Sequence, residues 1–200
     1  MKAKEQQRPD VLENRETFVT ESASIDPERF VFLDECGVMT NMTRMYGRAL
    51  KGERLVDHPP HGHWQNTSVI SAMRLDCVVA SMALNGAMDR PAFDAFVQQL
   101  LAPNLRNDDI VVMDNLAAHH SDDAIKAIKA AGATPWFLPP YSPDFNPIEQ
   151  MWAKVKQSVR RTVARDFEGL MTALGQALDA VTADDCHGFF TGCGYLQNGR

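Results

Sequence analysis

The sequence predicts an α/β fold: a mixed five-stranded sheet, built from a three-strand antiparallel meander plus parallel strands, with helices on both faces. Three observations favour this fold. Three β-rich segments come first in the chain and end at a turn signal. Two short apolar segments then alternate with segments of helical period, as parallel strands and their crossover helices do. Two further helical segments follow.

The three strands of the meander are recognised from their composition. The first is wholly apolar and is followed at once by two acids, which is typical of a buried central strand. The other two are rich in β-forming residues, and the pair Asn85 and Gly86 after the last of them signals a turn. We predict these strands at residues 30–33, 67–73 and 76–84. Residues 43–50 are predicted as a short strand or an ordered loop.

Helices and strands alternate in the second half of the chain. Pro91 fits the first turn of one helix, and Ser121 and Gly132 mark the beginning and the end of the next. We predict helices at residues 90–101, 121–131, 146–163 and 167–181, and strands at residues 110–113 and 134–138. This order of elements is that of the ribonuclease H-like fold.

Length and composition indicate one globular domain. The 200 residues, 44% hydrophobic and 23% charged, suffice for one compact core. We assign residues 28–200 to this domain, and the polar residues 1–27 to a connector or a peripheral N-terminal segment. No apolar run approaches the ~20 residues of a membrane span. The four cysteines form no Cys-x-x-Cys pair, so we expect reduced thiols in a cytoplasmic protein.

The charge of the chain is unevenly distributed. A net charge of −6 argues mildly against nucleic-acid binding, because such domains usually carry a basic surplus. However, positive charge gathers in two clusters, at residues 44–54 and 154–165. Solvated faces are the ordinary interpretation of such clusters, but the distribution of charge matters more than its sum. The candidate DNA-binding residues are Lys156, Arg160, Arg44 and Arg48.

Two acids each follow an apolar strand at the point where the strand ends: Asp34 and Asp114. Open α/β sheets bind ligands at this edge. Carboxylates brought together there repel each other and stay ionised most easily when a cation lies between them, and Mg²⁺ prefers such oxygen ligands. A cap or a turn is the alternative role for either Asp alone. Glu35 is expected on the opposite face of its strand and is kept only as a substitute ligand.

The sequence leaves two interpretations of Glu149 open. With Asn146 as N-cap and Pro147 as the first helical residue, Glu149 completes a near capping box. Alternatively, Lys156 and Arg160 fall within about 20° of the Glu149 direction at ~100° per residue, so this face matches a metal-bound phosphate with further phosphates beyond it. Three acids are what two-metal phosphoryl transfer needs, one bridging both ions and two holding one ion each.

The segments that carry these acids resemble a known family. They are VFLDE at residues 31–35, VMDNLAAH at 112–119 and LPPYSPDFNPIE at 138–149. They resemble the DDE transposases of the mariner-like superfamily, specifically those that bacterial insertion sequences encode. The 34 residues between Asp114 and Glu149, 115–148, match the spacing typical of that family. The resemblance covers about residues 28–165, and its departures at Cys36 and Phe145 affect no acid.

The resemblance implies a ribonuclease H-like fold with Asp34, Asp114 and Glu149 as catalytic residues and as ligands of two Mg²⁺ or Mn²⁺ ions. It implies cut-and-paste movement of DNA into TA sites, with double-stranded DNA of the transposon ends and of the target as partners, and a homodimer. Family members carry an N-terminal helix-turn-helix region, whereas about 27 residues precede the first strand here. We therefore expect a second reading frame, a truncation or one half of a split transposase, associated with the bacterial nucleoid and served by a separate helix-turn-helix polypeptide.

Three residues near the acids are predicted to support them. His119 either steadies the loop of Asp114, contacts a metal-bound phosphate or merely leads into the next helix. Asn115 is expected to orient Asp114 or a metal-bound water, and Asn146 to open the helix of Glu149. The histidines within residues 58–63 are interpreted as part of a loop near DNA, since no cysteine completes a zinc site.

The predicted function is therefore cleavage of phosphodiester bonds at transposon ends and strand transfer into target DNA. Two alternatives stay open. One is another nuclease of the same fold, since the fold alone does not decide the function. The other is a non-catalytic transposase remnant that binds DNA or dimerises. The proline-rich segment before Glu149 argues against the first, and the intact set of three acids argues against the second.

Overall fold

The computed structural model describes residues 4–44, 46–56 and 65–196 and contains a mixed sheet of five strands in the order β3-β2-β1-β4-β5. The strands are β1 Phe30–Met39, β2 Asn66–Met73, β3 Val78–Asn85, β4 Ile110–Met113 and β5 Thr134–Phe137. The first three form an antiparallel meander, whereas β4 pairs in parallel with both β1 and β5. The predicted sheet is confirmed.

Six α-helices lie within the described residues: α1 Pro9–Ser22, α2 Arg90–Phe96, α3 Asp122–Ala130, α4 Pro147–Thr162, α5 Phe167–Asp179 and α6 Ala183–Gly192. The helix expected over residues 90–101 is α-helical only to Phe96 and continues as a π-helical turn over Val97–Leu101. The sequence does not predict α6, because its apolar pattern is weak. Its signal lies at the N-terminus, where Thr182 and Asp185 form a capping box.

Alternate residues of β1 pack into two cores on opposite faces of the sheet. Phe30 and Phe32 belong to the core that includes Trp152 of α4 and apolar side chains of α5 and α6. Val31 and Leu33 belong to the core that α2 and α3 cover. Because side chains alternate along a strand, Asp34 lies on the α4 face and Glu35 on the opposite face.

The N-terminal segment contains a helix that packs on the domain. Phe18 of α1 is 4% exposed, and its ring lies 4.5 Å from that of Trp136 and 5.6 Å from that of Phe145. Arg15 forms an ion pair of 2.7 Å with Asp144, and its guanidinium carbon lies 4.1 Å from the centre of the Phe145 ring. Within the predicted N-terminal segment, the described residues thus contain a helix that packs on the rest of the chain. The domain boundary after residue 27 stays a prediction.

β1 is longer than the apolar run that predicted it. It continues past Asp34 to Met39, because β2 pairs with it as far as the partners Met39 and Asn66. Cross-strand hydrogen bonding sustains this extension, which no apolar run in the sequence marks. Residues 43, 44 and 46–50 form no strand, so of the two predicted states the loop is correct for this described part. The histidines at residues 58–63 lie outside the described residues.

None of the helices in the described part of the chain is long and apolar enough to cross a membrane. All four cysteines are free thiols, as the sequence predicts. Cys36 and Cys186 are buried in the core on the α4 face.

Candidate active site

The three predicted acids line one pocket of about 350 Å³. Asp34 belongs to β1, Asp114 follows β4, and Glu149 lies in the first turn of α4. Since β1 and β4 are parallel neighbours, their carboxyl ends meet at the same edge of the sheet. The rest of the lining comes from the two residues after Asp114, from the loop between β5 and α4, and from Asn146. The topology therefore brings together acids that are distant in the chain.

Asp34 lies deepest among the three acids. It is 8% exposed, and burial raises its pKa to about 8. The neighbouring carboxylates contribute to this shift, that of Glu149 most and those of Glu35 and Asp114 less. A divalent cation would reverse the effect, because it relieves both the loss of solvent and the repulsion between like charges.

Glu149 is not engaged in the capping box that the sequence allowed. Asn146 occupies the N-cap position, but its side chain makes no capping hydrogen bond. Its Oδ1 atom is buried and has no hydrogen-bond partner among the described residues. Burial raises the pKa of Glu149, Lys156 further along α4 lowers it, and Asp114 raises it. Glu149 thus lines the pocket together with Asp114 and lies within electrostatic reach of a lysine.

Asp114 is held by two donors. Its Oδ1 atom accepts a hydrogen bond of 2.9 Å from the backbone N–H of Leu116 and lies 2.7 Å from Nδ1 of His119. Burial alone would raise the pKa of Asp114, but the hydrogen bonds from His119 and Leu116 outweigh it, so the pKa lies below its ordinary value. Asp34 and Asp114 therefore share a pocket in opposite electrostatic environments.

His119 does more than lead into α3. It is fully buried, and its second ring nitrogen, Nε2, lies 2.7 Å from Oε1 of Glu35. Burial alone would lower the pKa of His119, but the carboxylates of Asp114 and Glu35 raise it to about 10. Of the expected roles, steadying Asp114 matches the observed contacts. The sequence did not predict the contact between His119 and Glu35. The available signal was the expected position of Glu35 on the face of β1 opposite to Asp34.

Asn115 contacts a different group from the one expected. Its Nδ2 atom donates a hydrogen bond of 2.6 Å to the backbone carbonyl of Leu138. The side chain therefore ties the segment after β4 to the loop after β5, and the described structure gives it no hydrogen bond to Asp114. Asn115 also lines the pocket, so it shapes the site rather than orienting the carboxylate.

Two of the four candidate DNA-binding residues line a second, larger groove. Its volume is about 640 Å³, and it lies between the loop after β1 and the second half of α4. The lining residues are mostly cationic or polar: Arg44, Tyr46, Ala153, Lys154, Gln157, Arg160 and Arg161. Lys156 is instead close enough to Glu149 to lower the pKa of that acid. Arg48 is exposed but is not part of the groove.

The donor set of the pocket fits a pair of hard divalent cations. Mg²⁺ is ordinarily held by one or two carboxylates, with water and phosphate oxygens completing its shell. The charges of Glu149 and Asp114 both act on Asp34. No three His, Cys, Asp or Glu side chains within residues 4–44, 46–56 and 65–196 gather around one ion position. The pocket therefore supplies the oxygen donors that Mg²⁺ prefers, from three acids that the described residues do not gather around a single ion position.

Comparison with solved structures identifies the fold. The Mos1 transposase paired-end complex with the left transposon end is similar, with a TM-score of 0.75 and 14% sequence identity, over 92% of this chain and 59% of that chain. The Mos1 transposase catalytic domain with raltegravir and Mn has a TM-score of 0.68 and 14% identity, over 96% of this chain and 90% of that domain. The catalytic domain of Mos1 mariner transposase has a TM-score of 0.64 and 13% sequence identity, over 96% of this chain and 90% of that chain. The predicted ribonuclease H-like fold is confirmed.

Sequence comparison identifies the family. No curated protein matches the chain by sequence. The chain spans 59% of the length of the Mos1 chain in the paired-end complex, so it corresponds to part of that protein. A family model described as DDE superfamily endonuclease matches residues 29–171, which include all three acids of the pocket. This match extends over well more than half of the chain, and the protein therefore belongs to the DDE superfamily of endonucleases.

Proposed function

We propose that this chain is the catalytic domain of a DNA transposase, which cuts phosphodiester bonds at transposon ends and joins the ends to target DNA. The observation that carries the proposal is the pocket that Asp34, Asp114 and Glu149 line together at the carboxyl ends of β1 and β4. Membership in the DDE endonuclease superfamily and the similarity of the fold to Mos1 transposase support it.

Asp34, Asp114 and Glu149 are the residues that would hold two Mg²⁺ or Mn²⁺ ions. Asp34 lies deepest in the pocket, and the charges of both other acids act on it. When bound, such ions supply Lewis acidity and a template for in-line displacement at a phosphate. Two solved structures of similar fold, the Mos1 catalytic domain with Mn and with Mg, support this choice of metals.

The protein contributes a site that is preorganised for the ions. β1 holds Asp34 in a buried position, where water competes poorly with a cation for its oxygens. Hydrogen bonds from His119 and Leu116 hold the pKa of Asp114 below its ordinary value. The carboxylate can therefore bind a cation without first losing a proton. The unpartnered Oδ1 atom of Asn146 adds a further buried oxygen beside Glu149.

The groove along α4 provides a path for DNA beside the pocket. Lys156 lies within electrostatic reach of Glu149, and Arg160 lies one turn further along the same helix, in the groove with Arg44. Cations in this order suit a scissile phosphate at the acids and flanking phosphates beyond it. Lys154 is partly neutralised by an ion pair with Asp185, so Arg44, Arg160 and Arg161 carry most of the positive charge of the groove.

The proposed partners are double-stranded transposon ends, target DNA and a second copy of the chain. The paired-end and strand-transfer complexes of Mos1, which are similar in fold, support them. A separate helix-turn-helix polypeptide that reads the ends, an origin in a bacterial insertion sequence and a location at the bacterial nucleoid belong to the same proposal. They rest on the resemblance of the motifs at residues 31–35, 112–119 and 138–149.

Strand transfer tests the proposal most directly. A duplex that ends at the genomic inverted repeat beside the coding sequence is offered with a plasmid target and Mg²⁺ or Mn²⁺. We expect joined products that EDTA and Asp114→Asn abolish, whereas Asp122→Asn, an exposed acid outside the pocket, leaves them unchanged. Cleavage without joining would indicate another nuclease of this fold. DNA binding without any metal-dependent cleavage would indicate a non-catalytic remnant, and either result contradicts the proposal.

A further inference from the structure

We propose that Glu35 and His119 form a buried positioning pair that fixes the carboxylate of Asp114 for metal binding. The inference rests on the proposed function, because it concerns Asp114 as a metal ligand. His119 is the link between the two acids. Its Nδ1 lies 2.7 Å from Oδ1 of Asp114, and its Nε2 lies 2.7 Å from Oε1 of Glu35.

The geometry gives each ring nitrogen one carboxylate. A ring nitrogen that carries a hydrogen donates a hydrogen bond to the carboxylate oxygen that it faces, and the oxygen accepts it. Nδ1 also forms a hydrogen bond of 3.2 Å with the backbone carbonyl of Asp114, so this nitrogen faces both the backbone and the carboxylate of that residue. With both nitrogens engaged, rotation of the ring is blocked. The contact with Glu35 thereby determines the orientation of the imidazole ring and keeps Nδ1 directed towards Asp114.

Burial holds the pair in this arrangement. The side chain of His119 is fully buried and that of Glu35 is 12% exposed. The ring of Phe93 from α2 lies 4.6 Å from the imidazole, on the face of the sheet opposite to α4. The pair therefore connects β1 with the segment after β4 from beneath the pocket, whereas Asp34 and Glu149 approach from the α4 side.

The contacts divide the two oxygens of Asp114 between the protein and the pocket. Oδ1 accepts a hydrogen bond from the N–H of Leu116 and lies 2.7 Å from Nδ1 of His119. The described residues donate no hydrogen bond to Oδ2, and the side chain is 41% exposed on the pocket. A carboxylate held in this way would present Oδ2 to an ion, whose other ligands would include water and phosphate oxygens.

Stability alone does not account for Glu35. Its second oxygen, Oε2, is buried and has no partner among the described residues. An unpartnered buried carboxylate oxygen costs free energy, and the adjacent carboxylate of Asp34 adds repulsion. A residue chosen only for packing at this position of β1 would carry no charge. Among the described residues, the one side-chain hydrogen bond of Glu35 is the one with His119, and this contact offsets these costs.

Two substitutions of His119 separate positioning from packing. The amide nitrogen of Asn is as many bonds from Cα as Nδ1, and that of Gln as many as Nε2. His119→Asn therefore retains a donor towards Asp114, and His119→Gln retains one only towards Glu35. Both remove the aromatic ring that packs on Phe93, and Asn, the smaller side chain, leaves the larger cavity, so better binding by His119→Asn would not be an effect of packing. Mn²⁺ affinity, measured by calorimetry on the complete chain, is the readout, with melting temperature in EDTA as the measure of folding.

We expect His119→Gln to weaken Mn²⁺ binding by about 10–100-fold, as removal of a group that orients a ligand does. His119→Asn is expected to recover most of that affinity. Glu35→Met, which removes the acceptor at similar length, is expected to weaken binding as well, but to add little in the His119→Gln background because the two residues act as one unit. His187→Gln, an exposed histidine of α6, is the control and is expected to bind as the wild type does.

The possible failures are distinguishable. Equal loss of affinity in His119→Asn and His119→Gln, or wild-type affinity in both with a lowered melting temperature, would overturn the positioning role and leave the proposed function intact. Wild-type Mn²⁺ binding that Asp114→Asn does not weaken would overturn both, because Asp114 would then hold no metal.

Discussion

Asp34 on β1 and Glu149 on α4 face the same pocket, and the carboxylate of Glu149 is, after burial itself, the largest cause of the raised pKa of Asp34. The two acids lie more than a hundred positions apart in the chain. Their mutual repulsion in the absence of a cation is a cost to the fold. A substitution that removes this repulsion, or an ion that compensates it, should therefore change the stability of the protein, which is measurable without DNA.

The first prediction concerns stability and pH. The pKa of Asp34 is about 8 in the folded protein and near 3.8 when unfolded, so the folded state binds the extra proton between these values. Stability without metal therefore falls as pH rises from about 4 to about 8. Asp34→Asn removes this loss, and we expect its melting temperature in EDTA at pH 8 to exceed that of the wild type by about 3 °C or more. At pH 4 the difference should vanish. A variant less stable than the wild type at pH 8 would contradict the pKa shift.

The second prediction concerns metal binding to the intact pocket. Mg²⁺ is expected to raise the melting temperature of the wild type at pH 8, because an ion that binds only the folded state stabilises it by mass action. Asp34→Asn should abolish the increase. Asp122→Asn, the exposed control, should retain it. Differential scanning fluorimetry over a Mg²⁺ titration measures the effect, and an equal increase in all three proteins would place the ion elsewhere.

The third prediction concerns catalysis. Asp114→Asn and Glu149→Gln each remove a proposed metal ligand while conserving the shape of the side chain. We expect Mg²⁺-dependent nicking of supercoiled plasmid to fall by more than about 100-fold in each, since even residues that only orient a ligand contribute 10–100-fold. Circular dichroism spectra should be unchanged. If Glu149→Gln retains nicking activity, Glu149 is not a metal ligand and has only a structural role in the N-terminal turn of α4.

The fourth prediction concerns the groove between the loop after β1 and α4. Arg44→Gln and Arg160→Gln are each expected to weaken binding of a random-sequence duplex uniformly across sequences. The slope of log affinity against log salt should fall by about 1 for each phosphate that the variant no longer neutralises. Fluorescence anisotropy at several salt concentrations measures both quantities. Lys126→Gln, an exposed lysine on α3, is the control, and an equal change in the control would mean that only net charge matters.

The fifth prediction concerns the docking of α1. Phe18 is 4% exposed and contacts two aromatic rings, whereas Val19 on the same helix is 49% exposed. Phe18→Ala should lower the free energy of unfolding by about 3 kcal/mol. Val19→Ala should change it by less than about 0.5 kcal/mol. Urea denaturation measures both, and similar values for the two variants would mean that α1 does not belong to the cooperative unit.

The strands and the three acids were predictable because their signals are local. β4 is an apolar run followed directly by Asp114, and its predicted bounds agree with those of the structure. The motif that ends at Glu149 is contiguous, so its similarity to a family is visible without a fold. Both acids stand where a strand or a helix meets the sheet edge, and the order of elements alone indicates that edge.

Other features depended on partners that are remote in the chain. The extension of β1 to Met39 depends on pairing with β2, which no run of residues in β1 encodes. α1 depends on the rings of Trp136 and Phe145, more than a hundred positions away. Whether the first turn of α4 has a capping box was decided by the orientation of the Asn146 side chain, which forms no cap, and the role of Glu149 as a metal ligand stays a prediction.

The sequence by itself determined which acids are available and at which strand ends they stand, because apolar runs and turn residues act over a few neighbouring positions. Only the tertiary structure decided which of these groups touch. Glu35 and His119 are 84 positions apart, and their contact arises because β1 and β4 are parallel neighbours whose ends meet. The choice of partner for a buried polar group is made by the strand pairing and packing around it.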